Sequence, residues 1–248
     1  VPLATCVIDT VRRHPSLLAQ SALTISHLSK GRFILGLGSG ELENTVPYGF
    51  DFEKPVSRLE EAIKVIKLLW HSEGKVDFEG PFYRLEHARV DTEFYDGTPP
   101  PIWMGSVGPR MLKITGREAD GWWPAGTYTP EDYATKLKVI LDAGDAAGRD
   151  MSHFVPALPQ ICLIGEEDEV AEMLQQPMVK SIILMQSAAD LRQFGYEHPM
   201  GPDWRGIHDF DPVRLSRERI IQFCNALDPR AIRDIFPVGD VKSVAMKF

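Results

Sequence analysis

Glu41 is the first residue whose type and setting invite chemistry. It closes the glycine run of RFILGLGSGELEN, Arg32 to Asn44, where an apolar strand passes through Gly36, Gly38 and Gly40 into two acids. Glycine-rich loops after strands commonly cradle phosphate, yet this one fails both phosphate fingerprints. The sixth position of G-x-G-x-x-G is Glu41, and no Gly-Lys-Ser/Thr follows. A carboxylate ~4 Å from a phosphate is repelled by ~1 kcal/mol even in bulk water. The glycines are therefore read as letting a planar ligand approach the backbone, with Glu41 as its catalytic or polar contact. The plainer alternative is a tight turn with a solvated acid.

A better anion site lies in IWMGSVGPRML, Ile102 to Leu112. A strand ends near Met104, and Gly105, Ser106, Val107 and Gly108 lead to Pro109, a residue suited to the first helical position. Free N–H groups at a helix start attract anions. The Ser106 hydroxyl and the Arg110 cation are expected to add to them, although most such loops bind nothing.

Other candidates carry less. Cys6, read alone, is a small core filler rather than a reactive thiol. Trp122, Trp123, Tyr48, Phe50 and Phe52 read as core or lid aromatics. His198, in the polar loop YEHPMG, is a candidate substrate contact, with a solvated side chain as the alternative. No H-E-x-x-H, G-x-S-x-G or metal-ligand spacing occurs, so no metal is expected.

The elements needed to position these residues follow a strand–loop–helix rhythm. Leu3–Ile8 and Phe33–Leu37 read as buried parallel strands. Helices are expected from Pro15 to Lys30, stopped by Gly31, and from Pro55 to Trp70, with Leu59, Ile63 and Ile66 on one face. Glu60 and Lys64 form an i,i+4 pair on the exposed side. The stretch 73–100 breaks the rhythm and reads as a loop or β excursion. Strands then recur at Pro101–Gly105, Gly121–Trp123, Gln160–Ile164 and Ser181–Met185. Their helices start at Pro109, at Pro130 behind a Thr129 cap, and near Asp168. A helical insertion at about 187–235 contains starts at Pro212 and Pro229. About five to six βα units favour a parallel sheet with outer helices. That is too few for a closed eight-unit barrel, so the sheet is either open and doubly wound or part of a barrel.

Bulk properties narrow the partners. The 248 residues carry a net charge of −8 and no concentrated basic stripe, which argues against nucleic acid or an anionic membrane as partner. No apolar run approaches the ~20 residues a bilayer span needs. Three widely spaced cysteines without a C-x-x-C pair fit a reducing cytoplasm.

Together, GRFILGLGSGE, PPIWMGSVGPRMLKITGREADGWWP and EHPMGPDWRG resemble the bacterial luciferase-like superfamily, and within it the coenzyme F420-dependent oxidoreductases. The GPRML and EHPMG signatures are similar to those of the phthiodiolone ketoreductase subgroup. The resemblance implies a luciferase-like (β/α)8 TIM barrel, here a single partial domain over 1–248. It places a non-prolyl cis peptide at Cys6-Val7, against the deazaflavin ring. Gly38 and Gly40 would lie at the ring end, with Glu41 as the active-site acid and Asn44 as a polar cofactor contact. Gly105, Ser106, Val107 and Gly108 would form the loop that holds the cofactor phosphate.

The implied activity is hydride transfer between reduced F420 and a carbonyl substrate, a small molecule or a lipid ketone, in a homodimer. Glu41 would manage the proton, which favours a pKa raised by partial burial. The alternatives are an FMN-dependent monooxygenase of the same superfamily and a non-catalytic remnant. The family's first two βα units have no counterpart here, and the ending DVKSVAMKF departs from its pattern. The chain is thus expected to be a fragment lacking both ends.

Overall fold

The computed structural model describes residues 1–126, 128–211 and 213–247. The first expected strand is two strands. Leu3–Ala4 (β1) and Ile8–Asp9 (β2) both run parallel to Phe33–Gly38 (β3), pairing Ala4 with Ile34 and Ile8 with Leu37. Four steps of chain therefore face three, and one extra residue bulges out between them. Thr5 replaces the interrupted ladder with its side chain. Its hydroxyl donates to the Gly36 carbonyl (2.8 Å) and accepts from the Gly36 N–H (2.9 Å), so neither backbone group is left without a partner.

Helix α1 (Pro15–Ser29) starts at its proline behind His14, whose Nδ1 accepts the Ser16 N–H. It ends at Ser29, one residue short of the expected Lys30, because Lys30 is already left-handed. Helix α2 (Pro55–His71) buries Leu59, Ile63, Ile66, Leu69 and Trp70, as the 3.6-residue spacing predicts. The break in rhythm is an antiparallel hairpin, Val76–Glu79 (β4) with Arg84–Ala88 (β5). Glu61, buried on α2, holds its connecting turn by accepting the N–H groups of Phe82 (3.0 Å) and Tyr83 (2.8 Å).

The parallel rhythm then resumes with Ile102–Gly105 (β6), Pro109–Glu118 (α3), Gly121–Trp122 (β7) and Pro130–Ala146 (α4). Thr129 caps α4 as expected, accepting the Asp132 N–H. Val155–Pro156 (β8) completes the order β1-β3-β6-β7-β8, with β2 also on β3. No strand is expected at β8, because two exposed residues, one a proline, carry no periodic signal. These strands belong to a first unit formed by Val1–Gly40, Tyr48–Ala125 and Ala134–Leu158. Its core joins Leu18 and Leu23 of α1, Leu35 and Leu37 of β3, Ile63 and Ile66 of α2, and Ile102 and Met104 of β6.

A second unit comprises Glu41–Pro47, Gly126–Tyr133 and Pro159–Phe248. Leu163–Ile164 (β9) pairs in parallel with Val238–Gly239 (β10). Around them lie α5 (Glu167–Met173), α6 (Pro177–Leu184), α7 (Ala188–Gln193), α8 (Arg217–Ala226), α9 (Pro229–Ile235) and α10 (Val241–Ala245). The strand expected at Ser181–Met185 is instead the end of α6. Pro177 opens this helix, and Lys180, Ile183 and Leu184 are buried at helical spacing. A short apolar run gives no periodicity that separates strand from helix. Helix α9 starts at Pro229 as expected, and α8 starts at Arg217 behind Ser216. Pro212, the other expected start, lies outside the described residues. Val170, Leu174, Ile183, Leu191, Ile232 and Phe236 form this unit's own core.

Candidate active site

The site begins with sheet geometry. Leu35, Leu37, Ile102 and Met104 point into the core with the helices, so the alternate residues of β3 and β6 face the other way. The register sets Gly36 beside Trp103, Gly38 beside Gly105, and Trp103 beside Gly121 on that second face. A side chain at Gly36 would put its Cβ 1.8 Å from the Thr5 carbonyl oxygen. At Gly38 it would fall 2.5 Å from Val7 Cγ2, and at Gly105 3.1 Å from both Val7 methyls.

This corrects the expectation for the glycines. The group they admit is the protein's own bulge, Thr5–Val7, and not directly a ligand. The Cys6-Val7 peptide is cis, the geometry the resemblance implies for that bond. Val7 lies over Gly38 and Gly105 while 40% exposed, so it offers its outer side as an apolar surface. Cys6 is exposed rather than a core filler, and partial burial pushes its thiol pKa up, which keeps it protonated.

Two residues absent from the expected set fix this end of the sheet. Thr5 ties the bulge to Gly36. Asp9, buried at the end of β2, accepts the N–H groups of Val11 (3.0 Å) and Arg12 (2.8 Å) and the Arg12 guanidinium. Burial opposes its ionisation, but the Arg12 hydrogen bonds and charge outweigh it and hold the carboxyl below its ordinary value. Gly40, at φ +85°, sits against Asp9, and an added Cβ would lie 3.0 Å from the Asp9 Cβ. The stretch IDTVRR, an acid at a strand end with arginine three residues on, is the sequence signal for this turn. Thr5 leaves no such signal.

Glu41 opens a single 3-10 turn, Leu42–Asn44, in the second unit. Asn44 Nδ2 donates to Glu41 Oε2 (2.9 Å), so the expected acid and the expected polar contact are one hydrogen-bonded pair. The Glu41 carbonyl accepts the Asn44 N–H (3.2 Å) and the Thr45 hydroxyl (2.8 Å), which stiffens the turn.

The Gly105–Gly108 loop is held from behind. Thr115 donates its hydroxyl to the Met111 carbonyl, so Ser106 must donate its own to Thr115 Oγ1 (2.8 Å). Trp122 Nε1 donates to the Ser106 carbonyl (2.9 Å). The Ser106 hydroxyl is thus buried and spent, and Arg110 is taken by Glu60 (2.8 Å) and Ser57 (2.9 Å). Both side chains are thus engaged by other protein groups, and Glu60 pairs with Arg110 and Arg117 while the Lys64 charge also favours its ionised form.

What remains at the loop is backbone. Among the described residues nothing accepts the N–H of Val107 or Gly108, and a Cβ on Gly108 would meet open space. These two donors stand at the start of α3, where the helix field favours an anion. Trp123 Nε1 is a further buried donor without a partner among the described residues, with its ring 5.5 Å from that of Trp103.

His198 has other work. It is buried, with Nε2 3.2 Å from the Ile183 carbonyl and Nδ1 accepting the Met200 N–H (3.1 Å), and it stacks on Trp204. Both nitrogens are used by backbone groups, one on α6 and one in its own loop, so the ring braces that loop against α6 and Trp204. Tyr48 and Phe50 are exposed, while Phe52 lies against Gly40. A groove of about 460 Å³ between α3 and α4, lined by Lys113, Arg117, Val139 and Asp142, is on the helix layer, away from the face that carries Val7. No three His, Cys, Asp or Glu side chains gather as a metal site among the described residues, and no helix of theirs is long and apolar enough to cross a membrane.

The model of the luciferase-like monooxygenase family matches residues 1–245, and the chain belongs to that family. A phthiodiolone/phenolphthiodiolone dimycocerosates ketoreductase of Mycobacterium tuberculosis is 37% identical over 235 residues, 94% of this chain and 62% of the relative. The chain therefore spans less than two thirds of that relative's length. An F420-dependent glucose-6-phosphate dehydrogenase of Nakamurella multipartita is 36% identical over 156 residues, 60% of this chain and 44% of the relative. An F420-dependent secondary alcohol dehydrogenase, solved with an F420-acetone adduct, superposes with a TM-score of 0.77 at 19% identity, over 100% of this chain and 69% of its own. The fold is of the luciferase-like (β/α)8 type.

Proposed function

We propose that this luciferase-like chain is an F420-dependent oxidoreductase that reduces a carbonyl compound. The observation that carries the reading is the bulged Thr5–Val7 segment laid over Gly36, Gly38 and Gly105, with Val7 half open, on the same sheet whose β6 leads to two unpartnered N–H groups at α3. An extended ring wants the apolar surface and its anionic tail wants the amides. The names of the F420-dependent relatives and of the ketoreductase support the cofactor and a ketone substrate, a lipid ketone in its finer form.

A reduced deazaflavin supplies a hydride. The chain's own residues then divide the rest. Val7 would give the ring a floor, and the N–H groups of Val107 and Gly108, in the loop opened by Gly105, would hold the phosphate. Glu41, paired with Asn44, would serve as the acid for the carbonyl oxygen, the role that the resemblance implies for it.

Two measurements test this. Titration of the protein with F420, followed by deazaflavin fluorescence, is expected to saturate where FMN does not. Turnover with reduced FMN and oxygen, and none with F420, would transfer the chain to the monooxygenase reading. Glu41→Gln is expected to lower kcat by about 10²- to 10⁴-fold while leaving cofactor affinity near wild type. Undiminished turnover removes Glu41 from the mechanism.

A further inference from the structure

The hairpin β4–β5 interrupts the βα alternation, and neither of its strands joins the parallel sheet. Its turn nevertheless reaches that sheet. Glu61 Oε1, buried on α2, accepts two successive N–H groups, Phe82 and Tyr83, which fixes where Tyr83 stands. The Gly80 position is closed by the same carboxylate, since a Cβ there would lie 2.3 Å from Glu61 Oε1. The Arg58 guanidinium covers the Phe82 ring at 5.1 Å, and the His14 ring meets Tyr83 edge-on at 5.3 Å. Tyr83 is buried, and its hydroxyl donates to the Thr10 carbonyl at 2.7 Å. Burial raises the phenol pKa against the pull of Arg58, so the group stays a donor at neutral pH.

Thr10 is one residue past Asp9, whose carboxylate turns the chain at Val11 and Arg12 and whose Cβ abuts Gly40. Two residues before Asp9 is Val7, on the glycine floor. The Thr10 carbonyl therefore adds a tie from the hairpin just past the C-terminal end of the bulged segment, 5–9, beside those that Asp9 makes. Thr5 ties its N-terminal end through Gly36.

We propose that Tyr83 is a positioning residue for the ring-binding face, a strut from the hairpin turn that holds the Cys6–Arg12 segment in the conformation that receives the cofactor. This rests on the F420 reading for its consequence, but not for its geometry. Removing the hydroxyl frees the Thr10 carbonyl and lets residues 6–12 sample other conformations, and cofactor binding must then restore the order that Tyr83 supplied.

The test uses Tyr83→Phe, which keeps the ring and its packing, in the intact chain. Hydrogen–deuterium exchange without cofactor reads the segment directly. The variant is expected to exchange about five- to tenfold faster over residues 6–13, with α3 and the β6 strand unchanged. The F420 dissociation constant is expected to rise about five- to tenfold, the consequence of one lost hydrogen bond between ordered groups. Glu61→Gln, which loosens the turn without touching the phenol, is expected to raise exchange over the same residues. Exchange over 6–13 equal to wild type in Tyr83→Phe overturns the proposal. So does a uniform rise across the whole sheet with unchanged F420 affinity, the mark of a purely structural residue. Absence of F420 binding by wild type, alongside faster local exchange in the variant, overturns the cofactor reading and leaves the strut standing.

Discussion

Thr5 illustrates how much one hydroxyl does at the centre of this molecule. It fills both the donor and the acceptor roles that a regular strand residue would give to Gly36. Thr5→Val keeps the volume and removes both bonds, leaving a backbone N–H and a carbonyl without partners. The expected cost is about 1–3 kcal/mol, read as a shift of the urea midpoint at unchanged slope. His198 gives a second residue-scale prediction. Burial lowers its pKa more than the Ile183 carbonyl raises it, so the folded state prefers the neutral ring. The unfolded chain, at about 6.5, then binds the proton more readily. This stability contribution is complete above about pH 6.5 and is lost as pH falls from there toward the folded pKa. Melting temperatures between about pH 7.5 and about pH 5.5 are expected to fall more steeply in wild type than in His198→Phe. Equal slopes would show that the ring does not titrate against folding.

At the scale of elements, the bulge and the glycine strand are one device. The sequence of β3 announces that side chains are missing at Gly36 and Gly38. It does not say what takes their space, because the occupant, Thr5–Val7, is about thirty residues upstream and has no pattern of its own. The same limit explains Ser106 and Arg110. Their types suit an anion, but their partners Thr115 and Glu60 are on other turns and helices. The end of α6 reads as a strand in sequence because its apolar run is too short to show a period, whereas α1, α2 and α9 are legible from proline starts or long helical spacing. Gly38→Ala tests the device: its Cβ would lie 2.5 Å from Val7 Cγ2, so Val7 or the strand must move. The expected result is a loss of about 1–3 kcal/mol together with weakened F420 binding. A stable variant that binds F420 as wild type does would mean that Val7 does not set the ring floor.

For the whole molecule, the parallel sheet with outer helices and the luciferase-like fold were legible in three motifs, Gly31–Glu41, Pro100–Pro124 and Glu197–Gly206. The third carries His198 stacked on Trp204, a brace that the motif itself does not announce. The central claim is a division of labour within the sheet unit: an apolar plane at Val7 for the ring and main-chain amides at Val107 and Gly108 for the anionic tail. A crystal structure with F420 bound measures it most directly. The account predicts the ring against Val7 and a phosphate oxygen within hydrogen-bond distance of the Val107 or Gly108 N–H. A phosphate seated among Gly36–Gly40, or a ring remote from Val7, would contradict it.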